Sequence, residues 1–169
     1  MMASSQLARI CKHLSMTPWR VRKKFPPTTL AAIEQEIKSS EAMHAGEVCF
    51  VVEGALHARH LYGGQSPRER AIEVFSMLRL WDTEDRSAVL IYVLLADRAV
   101  EIVADRGVHT KVLAQEWESI CRTMEAAFSR GLYQAGTLDG IRATTQHLTR
   151  HFPSVANRPN ALPDKPFIL

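Results

Sequence analysis

The sequence predicts an α/β fold: a three-layer α/β/α sandwich with a small mixed sheet that contains a β-hairpin and is flanked by about four helices. Three observations lead there. Ala88 to Ala96 is nine residues without a charge, the mark of a central strand covered on both faces. Val48 to Val52 is a second run dense in β-formers. The segments around these two runs carry apolar residues at helical spacing, bounded by capping and stop residues. With 169 residues, 46% hydrophobic and 23% charged, the chain has the length and composition of one domain with a real core. Its apolar runs fall short of the roughly 20 residues that a membrane-crossing helix needs.

Taken in order, Leu7, Ile10, Cys11 and Leu14 lie on one face of a short N-terminal helix, with Arg9 and Lys12 off that face. Two readings follow: the helix packs on the domain, or it lies on a membrane surface or a partner. Pro26 and Pro27 close this arm, residues 1–27. Thr28 or Thr29 then caps a helix bearing Leu30, Ile33 and Ile37, which turns at Gly46. After the Val48 strand ends near Gly54, residues 55–65 read as a loop. Ser66, Pro67 and Glu69 form a capping-box signature for the next helix, whose expected buried stripe is Ile72, Phe75, Leu78 and Trp81.

An acidic loop from Asp82 to Arg86 leads into the hairpin, residues 88–104, with a two-residue turn at Asp97-Arg98. Beyond Asp105-Arg106-Gly107, a long helix places Leu113, Trp117, Ile120, Cys121, Met124 and Phe128 on one stripe and ends at Gly131. A last helix carries Leu138, Ile141, Thr145, Leu148 and Phe152 before Pro153 stops it. The Pro-rich tail, residues 153–169, is expected to be loosely attached, so the domain proper spans residues 28–152.

Charge is concentrated. Six of the 21 basic residues, Arg9, Lys12, Arg20, Arg22, Lys23 and Lys24, fall in the first 24 positions beside no acidic residue, leaving 15 basic against 18 acidic in the rest. The balance describes a basic arm on a slightly acidic body, which excludes a whole-surface nucleic-acid binder. Trp19 amid these cations suits a lipid interface or a packed hinge. The arm's expected partner is therefore an anionic membrane surface or a membrane protein. Three widely spaced cysteines and no secretory signal point to a reducing, cytoplasmic location, peripheral to the inner membrane if the arm engages it.

The stretch Leu78-Arg79-Leu80-Trp81-Asp82-Thr83-Glu84, followed by Val89 to Ala96 and Val100 to Gly107, resembles the TPM domain family. That family is named for a thylakoid-lumen protein, a photosystem II repair protein and an acetylcholine-receptor modulator. Ser40 to Val48 and Ala127 to Tyr133 are similar to it too, and the likeness is strongest to short proteobacterial members without a signal peptide or membrane tail. The resemblance implies a small sheet between helices. It also implies acid phosphatase activity as in plant members, or calcium binding as in some bacterial members among loop carboxylates near residues 82–87 and 105–110, while many members have no known role. With its basic arm, the chain is expected to be a non-catalytic binding or membrane-associated accessory module, the alternative being a divalent-cation-dependent acid phosphatase. Two departures stand out: Arg86-Ser87-Ala88 replaces an Asn-Gly pair, and Val112 to Gln115 lacks the carboxylate that many relatives carry.

Calcium takes six to eight oxygen ligands, so Asp82, Glu84, Asp85 and Asp105 are the candidate metal ligands if the hairpin returns both loops to one sheet end. Arg86 and Arg106 would partly neutralise that cluster. Cys121 lies on a buried stripe and lacks a phosphate-cradling loop, so no catalytic nucleophile is assigned. His147 and His151, four apart on the last helix, have a zinc-compatible spacing without a clear third ligand; positive charge near a helix C-terminus explains them as well.

Overall fold

The structure, a computed structural model, describes residues 2–83, 86–154 and 162–169. Helices α1 (Met2–Ser15), α2 (Pro18–Lys24) and α3 (Pro27–Glu41) come first. Strand β1 (Glu47–Glu53) follows, then the short α4 (Ala58–Tyr62) and α5 (Pro67–Met77). The hairpin is β2 (Ala88–Leu94) and β3 (Ala99–Ala104), and α6 (Arg106–His109), α7 (Ala114–Ser129), α8 (Tyr133–His151) and β4 (Phe167–Ile168) complete the chain.

The sheet is mixed, in the order β3-β2-β1-β4. Strand β1 runs parallel to β2, with Glu47 opposite Ala88 and Glu53 opposite Leu94, and β2 pairs antiparallel with β3. All residues of β1 and β2 are buried, as continuous apolar strands covered on both faces must be. Even-numbered β1 residues Val48, Phe50 and Val52 face one core with Ile33 and Ile37 of α3, Met124 of α7 and Ile141 and Leu148 of α8. Odd-numbered Cys49 and Val51 face the other, with Ala71, Val74 and Phe75 of α5. The three layers expected from sequence are therefore present. Eight helices among the described residues replace the expected four, because α1 and α2 divide the arm, α4 occupies the expected 55–65 loop, and α6 precedes the long helix.

Local chemistry explains the well-formed ends. At α5, the Glu69 N–H donates to Ser66 Oγ while the Ser66 N–H donates to the Glu69 carboxylate at 2.7 Å, closing the capping box. Gly131, with φ 79, ends α7 in a left-handed turn: its N–H donates to Phe128 O and the Leu132 N–H to Ala127 O. Gly136 lets α8 approach α7, since a Cβ there would sit 2.7 Å from that of Ala127.

Five expectations are corrected. The α5 stripe does not reach Trp81. The helix closes in the same left-handed manner as α7, with Arg79 at φ 53 and the Leu80 N–H donating to Phe75 O, so Leu80 turns inward and Trp81 is exposed. Ile72 is exposed too, because the packed face is Arg70, Ala71, Val74 and Phe75. The hairpin turn spans Leu95 to Arg98, with Arg98 at φ 55, rather than two residues. The tail also returns to the sheet: β4 pairs parallel with β1, Val51 opposite Phe167, and the Leu169 N–H donates to Val52 O. Thr28 and Thr29 do not cap α3, which starts at Pro27 behind Pro26; Thr29 is buried and donates to Gln134 Oε1.

Candidate functional site

Two regions at opposite ends of β1 and β2 gather the chemistry. At the N-terminal end of these strands, the two loops named for metal binding meet: the Gly107 N–H donates to Arg86 O at 3.0 Å and the Asp105 N–H to Ala88 O at 2.9 Å. Asp105 is buried. Its Oδ1 accepts the Arg106 N–H at 2.7 Å, capping α6, while Oδ2 has no hydrogen-bond partner among the described residues. Asp82 is exposed, and Glu84 and Asp85 lie outside the described residues.

The same sheet end holds residues that sequence reasoning missed. His44 is buried; its Nδ1–H donates to Gly46 O at 2.9 Å, which leaves the Nε2 lone pair inward without a partner among the described residues. Burial holds His44 below the usual imidazole range, against the pull of that carbonyl bond. Glu41, at the end of α3, is pushed up to about 9, first by burial, then by a hydrogen bond with Asp164 and the nearby carboxylates of Glu47 and Asp164. At neutral pH it is a protonated acid sharing its proton with Asp164, so it ties the returning tail to α3. Only the histidine and carboxylate types flag these residues in the sequence; their convergence depends on β4.

The described residues contain no group of three or more His, Cys, Asp or Glu arranged to hold a metal ion, and calcium needs six or more oxygens. His147 sits 3.8 Å from Glu116 and against the Trp117 ring, with no third ligand beside it among the described residues. Cys49 and Cys121 are both pushed up to about 12 by burial, with Glu101 and Glu125 adding to the effect at Cys121. Neither thiol is a ready nucleophile at neutral pH.

At the opposite end lies the arm. Arg9 grips Asp97 of the hairpin turn, Nη2 to Oδ2 at 2.7 Å and Nε to both oxygens at 3.0 Å, and donates to Gln65 O. The Leu56 N–H donates to His13 Nδ1, so the His13 Nε2–H points at Asp97 Oδ1, 3.0 Å away. Burial opposes ionisation of Asp97, yet Arg9 and His13 hold it below the usual carboxylate range. Farther along, Val21 and Phe25 enter the core, Phe25 meeting the rings of Phe50, Phe128 and Tyr133. The arm is thus docked through its polar face. The α1 stripe, for which the sequence leaves packing and surface contact both open, is turned outward: Leu7 is 63% exposed and Leu14 77%, with Cys11 exposed and only Ile10 partly covered, and Trp19 of α2 is 67% exposed.

Of the seven residues assigned to surface contact, Arg9 is used internally and Lys24 is part-buried, its ammonium on the Tyr133 hydroxyl and 4.3 Å from that ring's centre. Lys12, Trp19, Arg20, Arg22 and Lys23 are exposed. No described helix is long and apolar enough to cross a membrane.

Comparison with known proteins agrees with this architecture. The family model for the TPM domain matches residues 23–147. The solved structure of BA42 from the psychrophilic bacterium Bizionia argentinensis is similar at a TM-score of 0.73 and 25% identity, covering 83% of this chain and 92% of that one. The N-terminal domain of a protein from P. gingivalis shares the fold at a TM-score of 0.61 and 15% identity, over 76% of this chain and 81% of that one. No curated protein matches. The match spans α3 through most of α8 together with every strand but β4, and the chain belongs to the TPM domain family.

Proposed function

We propose that this TPM domain protein is a binding module that attaches to an anionic membrane surface through its N-terminal arm. The observation that carries the reading is the way the arm docks: α1 spends Arg9 and His13 on Asp97, while Leu7 and Leu14 of α1 and Trp19 of α2 stand exposed in an arm that also exposes Lys12, Arg20 and Lys23. An apolar stripe flanked by cations is the pattern of a helix that beds into the headgroup boundary, and each nearby cation adds about 1 kcal/mol on an anionic surface. The alternative partner, a membrane protein with an acidic apolar groove, uses the same face.

Deleting the arm would also remove Val21 and Phe25 from the core, so point variants test the reading. The full chain is expected to co-sediment with phosphatidylcholine vesicles containing phosphatidylglycerol, more weakly as salt rises, and Leu7→Gln/Leu14→Gln/Trp19→Gln is expected to abolish this without lowering the melting temperature. Equal partitioning of both proteins would overturn it.

A second reading, a cation-dependent phosphatase at the 82–87 and 105 corner, is favoured by one observation: the inward Asp105 Oδ2 without a described partner. Hydrolysis there needs an activated water or a nucleophile. The described residues supply neither, so this reading rests on Glu84, Asp85 and an added cation. Calcium titration followed by amide shifts tests it: saturable shifts confined to residues 82–87 and 105–110, lost in Asp105→Asn, support it.

A further inference from the structure

The cleft between α1, α2 and the β2–β3 turn lies outside the carboxyl ends of the parallel strands β1 and β2, where open α/β sheets place ligands. Its volume is about 630 Å³, in the range of small-molecule sites. Lys12, Arg20, Lys23, Lys24 and Arg98 line it, and no acidic residue does. Among the described residues none of these five makes an ion pair; the neighbouring acid, Asp97, is consumed by Arg9 and His13. Two ammonium groups are held in place by aromatic rings, Lys24 by Tyr133 and Lys23 by Trp19, 5.3 Å from its centre. Arg98, at φ 55 in the hairpin turn, is exposed and lines the cleft.

We propose that this cleft binds an organic phosphate carrying at least two negative charges. Five cations crowded without counter-charge repel one another, and an anion placed among them removes that repulsion. A single carboxylate would leave most of this charge unanswered. A phosphate offers several oxygens to the arginine forks, and the Trp19 and Tyr133 rings leave room for an organic part beside it. Such a phosphate belongs either to a soluble phosphorylated metabolite or to a phospholipid headgroup. The site goes beyond the membrane reading, because Arg98 lies on the hairpin and not on the arm.

The test uses the full chain, with inorganic pyrophosphate as probe at low salt and amide shifts as readout. Saturable shifts at residues 19–24, 95–98 and 131–133 are expected, and Arg98→Asn, which keeps the left-handed turn, is expected to weaken binding about tenfold, the loss of one charged hydrogen bond. Vesicles of phosphatidylcholine with phosphatidic acid separate the sources. Pyrophosphate binding without vesicle binding upholds the cleft with a soluble ligand and sinks the membrane reading; both kinds of binding, each weakened by Arg98→Asn, uphold it with a headgroup. Absence of saturation at millimolar pyrophosphate, or shifts scattered over all surface cations and unchanged in Arg98→Asn, overturns the cleft even if vesicle binding persists through Leu7, Leu14 and Trp19.

Discussion

Strand β1 begins and ends with a buried glutamate, Glu47 and Glu53, both on the face toward α5, and the two ends are finished in opposite ways. At Glu53 every charge is answered. Arg70 Nε and Nη2 donate to its two oxygens at 2.9 and 3.1 Å, Tyr92 donates its hydroxyl at 2.7 Å, and Arg70 also reaches Glu73. Burial and the Glu53 carboxylate push the Tyr92 hydroxyl far above its ordinary value, so it stays a donor at every working pH. At the Glu47 end, the Glu41 carboxyl lies close to Glu47, and Glu41 Oε1, His44 Nε2 and Asp105 Oδ2 have no partner among the described residues. Buried polar groups are normally satisfied, and the exceptions concentrate where chemistry or binding occurs. The Glu53 end reads as architecture, and the Glu47 end as the place where the fold keeps polar capacity in reserve.

The largest effect belongs to the satisfied end. Arg70→Met leaves the Glu53 carboxylate buried beside Tyr92 alone and is expected to cost about 3–5 kcal/mol in urea unfolding, with Arg70→Met/Glu53→Leu recovering most of it. Next, Tyr92→Phe removes one hydrogen bond to a charged group and is expected to cost about 1.5–3 kcal/mol.

At the other end the expected signature is pH dependence rather than collapse. Glu41 has a folded pKa near 9, raised above its unfolded value, so the native state holds a proton that the unfolded chain releases. Stability from this group is fully present in mild acid, falls as pH climbs from about 4.5, and stops falling above the folded value. Glu41→Gln is expected to flatten melting temperature between pH 5.5 and 8.5, since the amide still donates to Asp164. A slope unchanged by the substitution would remove Glu41 as its source.

The smallest effect concerns two helix ends that close alike, α7 on Gly131 and α5 on Arg79. Glycine takes that backbone with the least strain, so Arg79→Gly is expected to stabilise by about 0.5–1 kcal/mol, seen as a raised urea midpoint.

These closures also show what the chain made legible. The Ser66-Pro67-Glu69 cap, the uncharged β2 and Gly131 announce themselves because each effect is local. Arg79 does not, since nothing marks an arginine as a left-handed cap, and the helical spacing runs on past it to Trp81. Arg70 looks like a surface residue until Glu53, 17 positions earlier, is seen to bury it. The period of α1 gave its apolar stripe but not the side that docks, which Asp97 decides from 88 residues away. Two-residue β4 is too short to leave a pattern, and with it went the meeting of Glu41 and Asp164. Among the metal candidates, only the approach of Asp105 to the 86–88 backbone could be foreseen, from the hairpin's return.

That short strand has a consequence of its own. An open strand edge is a template for another chain, and β1, with five consecutive apolar residues from Val48 to Val52, would make an adhesive one. By lying along Val51 and Val52, the last residues act as a guard rail against fibre-like stacking. Trimming residues 162–169 would thus register first as self-association at high concentration, before any loss of helix or sheet.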